Sequence, residues 1–312
     1  YFIELIRGLS RFAAFRYRLP VKYSNNCYLG SLGYSNTKTF FPSISFAGKE
    51  ILMMGLNHLG MLKIIQKSNF DIFHPTYYQP YFLNHIGIKP FVITIHDLIH
   101  ERFNLSVNSF SRGPLQKKIL AEKATRIIAV SENTKRDLVN LLGIPCEKIQ
   151  VIYHGSKFSP MVAKRKHRIN VPSRYILYVG GRTGYKNFKG LLLAVARILN
   201  SEPDLFLVAV GGGAFSSAEV DLLNELDILD KTLNYQINDS DLEVFYQNAE
   251  LFVFPSFYEG FGIPILEAFA CNCPVLCSDR SSLPEVGGEA VQYFDPENHD
   301  SIRLSINEIL NS

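Results

Sequence analysis

The sequence predicts an α/β fold in two halves, each a parallel sheet with helices on its faces, and three observations carry that expectation. Short apolar runs alternate with helical periodicity along the chain. The runs have the length and the aromatic, β-branched composition of strands buried on both faces. At 312 residues the chain is long for one core and comfortable for two.

In the first half DIFHP (71–75), FVITI (91–95), RIIAV (126–130) and IQVIY (149–153) read as strands. Helical stretches run near Ile51–Gln66, Gly113–Lys123 and Asn133–Leu142. The basic run KRKHR, Lys164–Arg168, followed by Pro172, reads as an exposed linker. The second half repeats the alternation with YILYVG, LFLVAVG, LNYQI, LFVFP, PVLCS and VQYF. Strand, helix, strand order implies right-handed crossovers, hence two Rossmann-like domains facing a cleft. The expected division is 1–160, a linker at 161–172, and 173–312. Gly211, Gly212 and Gly213 follow a strand, but the GxGxxG spacing fails, so a dinucleotide oxidoreductase is not indicated.

Composition narrows the class. The 47% hydrophobic content supports packed cores, and no apolar run reaches the length of a membrane span. Five cysteines, an odd number, point to a reducing compartment. Cys271, Cys273 and Cys277 read as small buried residues, because no nearby His or second Cys pair completes a zinc set. Charge divides unevenly: residues 1–160 carry +11 and residues 161–312 carry −8, against a net +3. A basic first half suits a membrane face or a lipid diphosphate, although surface charge can segregate by chance. Nucleic acid is not expected, since the basic residues do not interleave with aromatics in a binding module.

The stretch PSFYEGFGIPILE, Pro255–Glu267, concentrates the chemistry. It follows a strand, and Pro264 suits the first turn of a helix, where a missing N–H costs nothing. Glu259 is placed in the strand-to-helix loop and Glu267 in the first helical turn beyond it. Gly260 and Gly262 let backbone N–H groups approach a ligand, and the helix N-terminus favours an anion. Two carboxylates there suit hydroxyl groups better than phosphate, which gives sugar plus phosphate as the combined reading. Either glutamate alone is as well explained as a solvated loop or helix-start charge.

Glu259 and Glu267, with seven residues between, resemble the Glu-x7-Glu signature of retaining glycosyltransferases of family four, which have the GT-B fold. SENTKRDLVNLLGIPCEKIQVIYHG (131–155), YILYVGGRTGYKN (175–187) and EAFACNCPVLCSDRSSLPEVGGEAVQYFDP (267–296) are similar to that family in the expected order. The resemblance implies an acceptor-binding first domain and a second domain that holds a nucleotide sugar. It implies that Glu267 binds the ribose hydroxyls and Glu259 the sugar hydroxyls, with the N–H groups of the Gly260, Phe261, Gly262 and Ile263 region on the sugar and phosphate. Base contacts are implied near Ile237. In the family a first strand and glycine-rich loop precede the opening helix YFIELIRGLSRF, and further helices follow HDSIRLSINEILNS. A fragment is therefore expected.

Arg182 and Lys186 lie four residues apart in the loop GGRTGYKN. Residue chemistry alone allows a solvated loop; the resemblance makes them diphosphate ligands that stabilise the leaving group. His96 and His100 could share a metal, but no third ligand is evident and no metal is expected. The resemblance gives His96, at the end of its strand, an orienting role beside the donor sugar. Asp97 is expected to cap the next turn, His100 to pack, and Tyr77 and Tyr78 to line core or acceptor rim.

The expected function is metal-independent retaining transfer of a hexose, mannose from GDP-mannose in the first instance, to a polysaccharide or lipid-linked glycan acceptor. The protein is expected in the cytoplasm or on the cytoplasmic membrane face. A UDP-sugar transferase of the same fold and a noncatalytic nucleotide-binding scaffold remain as alternatives.

Overall fold

The computed structural model describes residues 1–26, 28–29, 37–67, 69–103, 113–158, 171–182 and 184–311. Most of the expected linker at 161–172 lies outside the described residues. In chain order the elements are α1 (Phe2–Leu9), α2 (Lys49–Gln66), β1 (Val92–Ile95), α3 (Ile99–Arg102), α4 (Gly113–Lys123), β2 (Arg126–Ala129), α5 (Glu132–Leu142) and β3 (Ile149–Val151). There follow β4 (Arg174–Val179), α6 (Phe188–Ser201), β5 (Leu205–Val210), α7 (Ser217–Glu225), β6 (Thr232–Tyr235) and α8 (Asp239–Asn248). The last are β7 (Leu251–Phe254), α9 (Ile263–Ala270), β8 (Val275–Ser278), α10 (Leu283–Gly287), β9 (Gln292–Phe294) and α11 (His299–Leu310). One sheet has the order β1-β2-β3 and the other β6-β5-β4-β7-β8-β9.

Two compact units divide the chain: Tyr1–Thr94 with Val107–Ile127, and Ile95–Ser106 with Ile128–Ser312. In the first, Phe82 is fully buried and meets Phe73 and Phe91 edge-on at 4.7 and 5.2 Å. DIFHP forms no strand. Phe73 makes a single bridge to Phe91, because Pro75 and Pro90 lack the N–H donors that a longer ladder would use.

The second unit is built on the six-stranded sheet, whose strand pairs are all parallel. Side chains alternate across each strand, so each face needs its own cover. Ile176, Tyr178, Leu207 and Val253 pack under α6 and α11, while Tyr175, Leu177, Val208, Phe252 and Phe254 pack under α8 and α9. Burial on both faces explains why these strands read as unbroken apolar runs. Tyr175 keeps its hydroxyl satisfied by donating to the Phe245 carbonyl at 2.7 Å. Cys271, Cys273 and Cys277 are buried, and burial raises their thiols to about 11, 12 and 12. They act as small apolar residues there.

Strand order sets the place of the site. The sheet runs one way from β4 through β5 to β6 and the other way from β7 to β9, with β4 and β7 adjacent. A crevice opens at such a reversal, outside the carboxyl ends of the two central strands. The loops after β4 and β7 are therefore brought side by side, and the Phe257 N–H donates to the Tyr185 carbonyl at 2.8 Å between them.

Candidate active site

Lys186 and Glu259 meet where these loops touch. Lys186 Nζ lies 2.7 Å from Glu259 Oε1, with side-chain exposures of 20% and 10%. The ammonium also sits 5.3 Å from the Tyr185 ring centre and 5.8 Å from that of Phe254. Burial, then Glu259 and Asp97, push the Tyr185 phenol up, so it stays a neutral donor beside the carboxylate.

The backbone around Glu259 is fixed from two sides. Its N–H donates to Ser281 Oγ at 2.9 Å, and Ser282 Oγ donates to the carbonyls of Glu259 and Phe261 at 2.9 and 2.8 Å. The Gly260 carbonyl accepts from Ser131 Oγ at 2.6 Å and Thr134 Oγ1 at 3.1 Å. A Cβ on Gly260 would fall 1.8 Å from the His96 carbonyl oxygen, so only glycine permits this approach. Gly262, at φ +108°, is the N-cap of α9, and Ile263 and Pro264 begin the helix. The helix N-terminus thus follows directly on the Glu259 loop.

His96, at the end of β1, stacks on His154 with ring centres 5.6 Å apart. His154 in turn meets Phe261 edge-on at 5.1 Å. Burial first, and then the neighbouring His96, push His154 down to about 4, which keeps it neutral near pH 7. Tyr153 donates to Glu285, and that bond, with burial, raises its phenol to about 12.

Arg182 takes a different position from Lys186. Its buried guanidinium donates to Glu219 Oε1 at 2.6 Å and to the carbonyls of Gly211, Gly213 and Ala214 at 2.7, 3.1 and 2.8 Å. It clamps the glycine loop after β5, where a Cβ on Gly212 would lie 2.7 Å from Arg182 Nη1. Burial alone would raise the Glu219 carboxyl, but the bonds from Arg182 and Ser216 hold it below its ordinary value. Glu219 also closes a capping box with Ser216 at the start of α7.

Glu267 is the fifth residue of α9, just past the first turn in which the sequence places it. The helix starts at Ile263, and Pro264 lies in its first turn as expected. There the Tyr246 hydroxyl donates to Glu267 Oε2 at 3.3 Å. Ile237 lies between β6 and α8, packed at the margin of the core beneath α8 and α9. Asp97 accepts from the Ile99 N–H at 3.2 Å, the local turn role expected of it. Among the described residues no group of three or more His, Cys, Asp and Glu could hold a metal ion.

Sequence reasoning named Lys186, Glu259, Gly260, Phe261, Gly262 and His96, which the structure gathers. It missed Tyr185, His154, Ser281, Ser282 and the α5 residues Ser131, Thr134 and Asp137. The α5 set carried a signal, polar residues at i, i+3 and i+6, but on a helix that spacing also describes an ordinary solvated face.

Residues 32–156 match the Glycosyltransferase Family 4 model, and residues 162–312 match Glycosyl transferases group 1. The chain is 33% identical over 199 residues to O-antigen chain mannosyltransferase B of Escherichia coli, spanning 59% of this chain and 51% of the relative. It is 27% identical over 193 residues to O-antigen chain mannosyltransferase RfbU of Salmonella typhimurium, spanning 62% and 53%. The chain thus spans about half the length of these relatives. Among solved structures, sucrose-phosphate synthase from Thermosynechococcus elongatus aligns with a TM-score of 0.69 at 22% identity, over 88% of this chain and 74% of that one. Anabaena Alr3699/HepE in complex with UDP and glucose aligns with 0.68 at 18% identity, over 93% and 81%. The family models, the parallel sheet with its switch point and the fold likenesses agree: residues 162–312 belong to the glycosyl transferases group 1 family and residues 32–156 to Glycosyltransferase Family 4, and the fold is GT-B.

Proposed function

We propose that the whole protein is a retaining glycosyltransferase that moves a hexose from a nucleotide sugar to a hydroxyl of a polysaccharide or lipid-linked glycan. The observation that carries this reading is the Lys186–Glu259 pair at the switch point, beside the N-terminus of α9. As a sugar leaves a nucleoside diphosphate, negative charge grows on the phosphate, and a fixed ammonium with helix N–H groups stabilises it. Glu259 orients sugar hydroxyls. Its pairing with Lys186 and its hydrogen-bonded loop suit a fixed acceptor better than a nucleophile, so attack from the leaving-group face is the proposed route to retention. His96 and the neutral His154 border the same loop and contribute an orienting wall.

Arg182 reaches a diphosphate only by exchanging its carbonyl partners, so its first role is to hold the glycine loop in shape. Mannose from GDP-mannose is the favoured donor, on the likeness to O-antigen mannosyltransferases. A UDP sugar is the alternative, supported by the fold likeness to a protein solved with UDP and glucose. No metal enters the proposed step. The basic balance of residues 1–160 supports peripheral contact with an anionic membrane face. Among the described residues no helix is long and apolar enough to cross a membrane.

The test is transfer by the full-length protein from GDP-mannose or UDP-glucose, with chelator present, to glycan acceptors, with product anomers read by NMR. An α-linked product from an α-donor is expected. An inverted product, hydrolysis without transfer, or dependence on added metal contradicts the reading.

A further inference from the structure

We infer that α5 is the platform that positions the Glu259 loop, through Ser131, Thr134 and Asp137, which act as positioning residues for transfer. The inference rests on the proposed role of Glu259. The three residues recur every third position, which puts them on one face of the helix. They are 0%, 0% and 5% exposed. A helix face buried against a loop is ordinarily apolar, and polar groups there must be paired to avoid a desolvation cost. All three find partners in the residues that flank Glu259.

Ser131 Oγ and Thr134 Oγ1 hold the Gly260 carbonyl. Asp137 Oδ2 accepts from the buried Tyr258 hydroxyl at 2.5 Å. The residue before Glu259 is thus anchored by its side chain and the residue after it by its main chain. Ser131 also accepts from the Thr134 N–H at 2.9 Å as the N-cap, so one hydroxyl joins the start of the helix to the loop. Arg102 Nη1 donates to Asp137 Oδ1 at 3.3 Å, and its guanidinium lies 5.4 Å from the Tyr258 ring centre. Charge-assisted bonds of this kind are stronger than neutral ones and directional. Glu285 accepts from the Glu132 and Asn133 N–H groups at 2.6 and 3.2 Å, so the segment after β8 is held on the same helix.

Beyond pairing these buried groups, the bonds reach outside the helix to the residues beside Glu259. Their common effect is to fix the main chain on both sides of one carboxylate, and displacement of a reacting group by about 1 Å can lower a rate about 100-fold. Tyr258→Phe, Thr134→Val and Thr134→Ser in the full-length protein separate positioning from folding. Tyr258→Phe and Thr134→Val are expected to lower kcat about 10- to 100-fold, on the same principle. Nucleoside diphosphate affinity should move little, Tm should fall without loss of folding because Arg102 still pairs Asp137 and Ser131 still holds the Gly260 carbonyl, and Thr134→Ser should restore kcat. Wild-type kcat in folded Tyr258→Phe and Thr134→Val, or a kcat loss that Thr134→Ser shares, overturns the role of α5 alone. A wild type that transfers no sugar contradicts the transferase reading instead, and the inference with it.

Discussion

Lys186 Nζ lies 2.7 Å from Glu259 Oε1 and joins the loop after β4 to the loop after β7 at the point where the sheet reverses direction. Both side chains are mostly out of water, so each depends on the other for compensation. Lys186→Ala should destabilise the protein by about 3 kcal/mol, because it leaves a buried carboxylate unpaired. Urea unfolding checks this, and Lys186→Met with Glu259→Gln should recover most of the loss. A single variant as stable as wild type would show that the pair is solvated.

Gly260 is the tightest point of the loop. The atom that meets an added Cβ is the His96 carbonyl oxygen, which is backbone and cannot swing aside. Gly260→Ala should cost about 1–3 kcal/mol by overpacking and should reduce transfer further by displacing Glu259. Thermal unfolding and initial rates, measured together, test both parts.

His154 gives the protein an acid sensitivity, to which His58, also lowered by burial, adds. Its folded-state value, about 4, lies below the ordinary 6.5, so the unfolded chain binds the proton more readily. The stability contributed by neutral His154 is complete above pH 6.5 and is lost as pH falls from 6.5 towards 4. His154→Asn should flatten the fall in Tm across that window. An unchanged Tm profile would place the sensitivity elsewhere.

Arg182 holds three carbonyls of the loop after β5. Arg182→Lys keeps the charge but loses the fork, so those acceptors lose protein partners at about 1–3 kcal/mol for each one left buried. Faster amide hydrogen exchange through residues 211–215 is expected. Unchanged exchange there would mean that the glycines hold the loop without the clamp.

The second half was legible because its strands are buried on both faces. LFVFP and LFLVAVG could be read as strands without knowing their neighbours, and with a parallel order they point to a switch point. DIFHP was misread, since composition favours a strand while the ladder depends on donors that two prolines remove. Glu259 and Lys186 were legible as a loop glutamate and a loop lysine, but not as a pair, because 73 residues separate them and only the pairing of β4 with β7 unites them. Arg182 was named for its charge. Sequence could not show that its donors face carbonyls from a loop after another strand. The α5 face stayed hidden for the same reason: Asp137 and Tyr258 are 121 residues apart.

The most direct test of the central claim is calorimetric binding of GDP and UDP to the full-length protein in metal-free buffer, repeated with Lys186→Ala. If the loops after β4 and β7 form a nucleotide-sugar site, one nucleoside diphosphate should bind, and the variant should bind it at least about tenfold more weakly, as loss of a charge-assisted contact worth about 1.4 kcal/mol or more requires. Equal binding by both proteins, or no binding of either nucleotide to the folded wild type, would contradict the assignment of the switch-point loops as the donor site.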